Sequence, residues 1–317
     1  MLTKRIGIQT QGATATEVIN QIKELENKGI PVAWMATGGG AQDSLSVFAA
    51  AAVETKQIIL GTSIVPTYPR HPLITVQQAH VINQLAPGRL ILGIGASHKD
   101  RIEGNYRIPF DTPLTHTREY LHITRTLLHN GSVDFKGKQL SAKADFGITA
   151  PDIPVMISAL RKGSYELAGE ASDGAISWVC PGDYLKNMAL PALRKGSARS
   201  GRTGIPPLVA HAPICVHEDI KEVRAAVNDQ LATYYLDFDF YRKMFVDAGY
   251  PEADAKIWSN EMLDAVVLWG NENKVSDSIQ KLFSIGASEI IVTIITAGSD
   301  PIKSRQRVIN LISELSN

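Results

Sequence analysis

Cysteine is nearly missing: Cys180 and Cys215 are the two thiols among 317 residues. Two such distant residues announce neither a disulfide scaffold nor a thiolate metal site, and they fit a reducing cytoplasm. Charge of one sign is also missing, because 32 Lys and Arg face 32 Asp and Glu. No bulk field therefore draws the chain to nucleic acid or to anionic lipid. No apolar run reaches the roughly 20 residues that cross a bilayer. The opening MLTKRIGIQTQG lacks the length and cleavage pattern of an export signal and reads as a first strand. Tryptophan is scarce at 4, and no compact His and carboxylate cluster calls for a metal. The interrupted cations of the last helix read as a solvated face, and Gly38, Gly39 and Gly40 as a turn without the full phosphate-loop pattern.

What is present is a repeated alternation of strand and helix. RIGIQ is followed by a stretch in which Val18, Ile19, Ile22 and Leu25 form one helical apolar face, stopped at Gly29. Further strands are expected at 30–39, 58–66, 89–97, from Pro154, at 175–180, at 208–216 and at 289–298. Each is apolar throughout, as in a sheet covered on both faces. A small hairpin is expected around Val133 to Gln139, and a helix over Glu119 to Leu128. Eight strands each followed by a helix predict a (β/α)8 TIM barrel, a single domain over 1–317 with insertions at 98–117 and 234–262.

In such a barrel the chemistry belongs at the carboxyl ends of the strands. The rim segments are then QTQG at 9–12, MATGGG at 35–40, TSIVPTYPRHP at 62–72, GASHKD at 95–100, SALRKGS at 158–164 and SWVCPGD at 177–183. In PTYPRHP, Tyr68 supplies ring surface, Arg70 charge and His71 a titratable donor, with helix capping as the competing use of His71. Gly95 leaves space at a strand exit, and Ser97 and His98 can donate hydrogen bonds there. A helix starting near Gly163 would turn free amides toward an anion, with Ser164 as a hydroxyl donor and Arg161 as a cation. Trp178 can cover the bowl.

The run GTSIVPTYPRHPLITVQQAHVINQLAPGRLILGIGASHKD, with AGEASDGAISWV further on, resembles the bacterial-luciferase-like superfamily, especially its coenzyme F420-dependent oxidoreductases. The similarity covers nearly the whole chain. It implies a luciferase-like barrel holding a deazaflavin, or alternatively FMN, at its rim, and it suggests a homodimer. It also implies a non-prolyl cis bond at the third strand, within Thr62 to Val65 and expected between Ser63 and Ile64, supporting the redox ring from behind. The cofactor phosphate would then lie at Ser158, Ala159, Leu160, Arg161, Gly163 and Ser164.

On this resemblance the expected activity is hydride transfer between F420 and a small organic substrate, reducing an activated C=C or C=O bond. Ser97, His98 and His71 are the candidate catalytic donors. MATGGGAQD lacks the Asp-His type pair that alcohol-oxidising relatives offer at this rim, which argues against alcohol oxidation. The alternatives are an FMN-dependent monooxygenase or reductase, and a barrel that binds a flavin without turnover.

Overall fold

The structure is a computed structural model that describes residues 4–38, 42–232 and 236–316. Its centre is a closed parallel barrel of eight strands. In chain order these are β1 (Arg5–Gln9), β2 (Val32–Met35), β3 (Ile59–Thr62), β4 (Leu90–Gly95), β5 (Val155–Ser158), β6 (Gly174–Ile176), β7 (Leu208–Val216) and β8 (Glu289–Ile294). The ring closes because β8 pairs with both neighbours, Arg5 and Val209 each standing opposite Glu289. The expected TIM barrel is therefore the observed fold. Two short strands decorate it: Val65–Pro66 beside β4, and Leu268–Gly270 beside the carboxyl end of β7.

Two layers of apolar side chains hold the barrel. The outer layer lies between strands and helices; the helix Ala15–Asn27, for example, buries Val18, Ile22 and Leu25, residues spaced to share one face. The inner layer fills the barrel with Val32, Trp34, Ile91, Met156, Ile176, Val209 and Ile291. Trp34 is fully buried, and glycines on both neighbouring strands make room for it. A Cβ at Gly7 or Gly61 would stand 2.6 or 2.5 Å from its ring. Below it, Trp34 Nε1 donates to Glu289 Oε1 at 3.0 Å, and the other carboxylate oxygen takes Arg5 Nη2 at 2.6 Å.

Some boundaries differ from the sequence expectation for local reasons. The stretch 58–66 is two strands, broken at Ser63–Ile64, whose peptide bond is cis. The helix expected from Glu119 begins at Pro113, a proline in its first turn, where a missing N–H costs nothing. The hairpin is Ser132–Lys136 with Ser141–Asp145, longer than expected, and Glu119 caps its turn by accepting from the amides of Lys138, Gln139 and Leu140. Gly39 and Gly40 of the expected turn, and Tyr234 and Tyr235 of the second expected insertion, lie outside the described residues.

Candidate active site

The carboxyl ends of β1 to β6 open into a cavity of about 500 Å³. Its floor carries Ser63 and Ile64, presented by the turn that follows β3. The Ser63 hydroxyl is buried without a hydrogen-bond partner among the described residues. A buried hydroxyl left unpaired costs about 1–3 kcal/mol.

On one wall, Ser97 and His98 follow β4, as expected from GASHKD. Ser97 has a φ of 64°, the left-handed region, which turns the chain sharply out of the strand. The His98 ring stacks on Phe238 with centroids 3.9 Å apart and leans against Tyr241. Burial, reinforced by the nearby Arg101 guanidinium, pushes its pKa down to about 4. At neutral pH this imidazole is uncharged and offers one N–H donor rather than an imidazolium proton.

The opposite wall is the exit of β5. Ser158, Ala159, Leu160, Arg161, Gly163 and Ser164 all line the cavity, as the sequence placed them. The helix Lys162–Ala171 starts here and brings Gly163 and Ser164 to the lining. Ser164 does not act as the free donor expected of it. Its hydroxyl donates to Arg161 O at 2.7 Å and accepts from the amides of Leu160 and Arg161, which fixes the loop instead. Arg161 is paired with Asp247 at 2.8 Å, a bond that ties the cavity wall to the helix Asp239–Asp247 bearing Tyr241.

Five other expected residues are held away from the cavity. His71 caps the helix Pro72–Leu85, its Nδ1 accepting from Leu73 N while Nε2 reaches Ser141 O at 3.2 Å. It is a capping residue outside the bowl rather than a donor within it. Tyr68 stacks between Phe110 and His116 and donates to Asp111 O. Arg70 binds Asp43 and Gln78. Thr62 bridges β3 to β4, donating to Gly93 O and accepting from Gly93 N, each at 2.8 Å. Gly95 lets β4 close against β5, since a Cβ there would stand 2.2 Å from Ser158 Oγ.

The sequence reading did not single out Gln9, Arg101, Thr117, Phe240 and Tyr241, all of which line the cavity. Gln9 lies in the QTQG rim segment, so its position was legible although its role was not. Trp178 lines the bowl and stacks on His211 with centroids 3.8 Å apart and planes 6° from parallel. Among the described residues no group of His, Cys, Asp or Glu is arranged to hold a metal, and no helix is long and apolar enough to cross a membrane.

Comparison with known proteins agrees with this architecture. The profile of the luciferase-like monooxygenase family matches residues 1–289. A 5,10-methylenetetrahydromethanopterin reductase of Methanopyrus kandleri is 24% identical, over 94% of this chain and 93% of that protein. Among solved structures, an F420-dependent secondary alcohol dehydrogenase in complex with an F420-acetone adduct superposes with a TM-score of 0.80 over 98% of both chains at 18% identity. A type II Baeyer-Villiger monooxygenase of Pseudomonas putida in complex with FMN does so at 0.73, covering 99% of this chain and 96% of that one at 19% identity. At such identities the two structures establish the shared fold.

Proposed function

The chain belongs to the luciferase-like monooxygenase family, and from that footing we propose that it is an oxidoreductase transferring a hydride between coenzyme F420 and a small organic substrate. The observation that carries the reading is that one cavity joins the Ser63–Ile64 turn to a helix N-terminus. Ser63 and Ile64 form the floor, with an unpaired buried hydroxyl, and the helix N-terminus behind Arg161 forms the wall. A planar ring with an anionic tail satisfies both at once.

When bound, the deazaflavin supplies the carbon that gives or takes the hydride. The chain's own residues hold and surround that ring. Ser63 would donate to it, Ile64 would support it, and Gly163 with the start of the helix Lys162–Ala171 would hold the tail. Phe110, Leu114, Phe240 and Tyr241 give the rest of the cavity an apolar lining suited to a small organic molecule and keep water from the reacting carbon. Ala36, Thr37 and Gly38 at the β2 exit include no base to take a proton from an alcohol. That leaves reduction of an activated C=C or C=O bond, in which the Ser97 hydroxyl and the His98 N–H would donate hydrogen bonds to the developing negative charge and solvent would supply the proton after hydride transfer.

Stopped-flow mixing of the purified protein with chemically reduced F420 and with chemically reduced FMN, with and without oxygen, tests the reading. Selective F420 binding and oxygen-independent reoxidation by an acceptor substrate are expected. Selective FMN binding with oxygen-dependent turnover would replace it by the monooxygenase reading, and binding without turnover by the noncatalytic one.

A homodimer is part of the same proposal. Val53, Ile74, Val81 and Leu85 lie exposed on the adjacent helices Ser44–Glu54 and Pro72–Leu85, an apolar face that a second copy would cover. Light scattering should give twice the monomer mass for the wild type and the monomer mass for Val81→Glu.

A further inference from the structure

A directed chain of hydrogen bonds runs from the backbone behind the cavity to Gln9 at its edge. Val179 N donates to His211 Nδ1 at 3.2 Å. Val179 has a φ of 51°, a left-handed conformation uncommon for a β-branched residue, and its N–H points at the imidazole. Because Nδ1 accepts, the proton of the neutral ring resides on Nε2, which lies 2.7 Å from Thr293 Oγ1 and donates to it. The ring is neutral because burial pushes the pKa of His211 down to about 3. Thr293 has one hydroxyl proton, and it goes to Gln9 Oε1. Every direction is thus set by the amide at the start, since an N–H can only donate.

The last link leaves the Gln9 amide with one open end. Its oxygen is engaged by Thr293, so its NH2 group is the end turned to the cavity, with no hydrogen-bond partner among the described residues. The geometry points to Gln9 as a fixed donor to a carbonyl or ring-nitrogen acceptor on the redox ring, at the edge away from the wall at the β5 exit, with Thr293 and His211 as the positioning residues that keep it a donor. This inference rests on the function proposed above for the same cavity. Gln9 stands at the end of β1 and the helix start at the end of β5, so a ring anchored by its tail at β5 and resting on Ile64 presents its far edge to Gln9. The titratable groups facing that space are His98, Arg101, Arg161 and Tyr241 on the lining and His211 behind it; Ala36, Thr37 and Gly38 of the adjacent strand exit contribute none.

The test combines binding with a ligand-independent readout. Fluorescence titration with oxidised F420, and separately with FMN, should show Gln9→Glu at least about tenfold weaker than wild type at pH 7.5, because a carboxylate presents an acceptor to an acceptor. That loss should shrink at pH 5.5, as the introduced carboxyl protonates and regains a donor. Thr293→Val, which frees the amide to rotate, should weaken binding about threefold in the wild-type background and have no effect in Gln9→Met, where there is no amide to orient. The 15N spectrum of wild-type His211 should show the Nε2–H tautomer.

Unchanged affinity in Gln9→Glu, a Thr293→Val loss that persists in Gln9→Met, or an Nδ1–H tautomer each overturns the inference while leaving the proposed function standing. Failure of the wild type to bind either ring overturns the function and the ring assignment together.

Discussion

The two ends of the barrel are built from the same strands and come to opposite conclusions. At the amino end, β1 supplies Arg5, β8 supplies Glu289 and β2 supplies Trp34, and these three close on one another, one carboxylate taking both donors. At the carboxyl end, β1 supplies Gln9 and β8 supplies Thr293, but the chain that they continue from His211 stops at an amide facing an open cavity. The lower end is packed solid around a fully buried indole; the upper end leaves Ser63 unpaired. Polar groups inside a barrel stabilise it when their partners are other residues, and they bind when one partner is left for a ligand to supply.

The sharpest way to break this contrast is at the solid end. Trp34→Ala removes the largest side chain of the inner layer and one of the two residues that donate to Glu289. Urea unfolding should show a loss of about 3–5 kcal/mol. Gly61→Ala overfills the same place and should cost about 1–3 kcal/mol, since its new methyl would meet the indole at 2.5 Å.

Glu289→Gln examines the charge alone. Burial raises the Glu289 pKa above 4.5 and outweighs the lowering by Arg5 and by the Trp34 hydrogen bond. A carboxyl with a raised folded pKa is penalised above that pKa and relieved as pH falls through it toward the unfolded value. Wild-type stability should therefore gain on that of Glu289→Gln on acidification through that window, as read from urea midpoints at several pH values. A widening deficit of the wild type would reverse the sign.

At the open end the same kind of change should be felt in binding. Ser63→Ala should raise the unfolding stability of the ligand-free protein by about 1–3 kcal/mol, because a buried hydroxyl without a partner is removed, yet weaken F420 binding about threefold to tenfold. Stability that falls while affinity holds would move Ser63 to the structural side of the comparison. The smallest effect concerns His98. With its pKa near 4, it should give no inflection in F420 affinity between pH 5.5 and 8, and its imidazole resonances should stay those of the neutral ring over that range.

Legibility followed how local each feature's cause is. The segment SALRKGS reached the cavity as expected because its neighbours in sequence, a strand end and a helix start, place it there. Ser63 and Ile64 did so through the turn after β3. PTYPRHP failed as a rim loop for an equally local reason that competes with function: His71 takes the N-cap, and Tyr68 and Arg70 find partners on the outside. Ser164 shows both sides, since it lines the bowl while its hydroxyl serves its own loop.

Strand and helix alternation, the apolar density of strands covered on both faces, and the helix start after β5 follow from the order of residues along the chain, because each depends on neighbours within a few positions. Which polar groups are spent and which remain open was decided only when β8 came round to β1. That closure sets Glu289 beneath Trp34 and Thr293 between His211 and Gln9, and no local pattern records partners that meet only when a barrel closes.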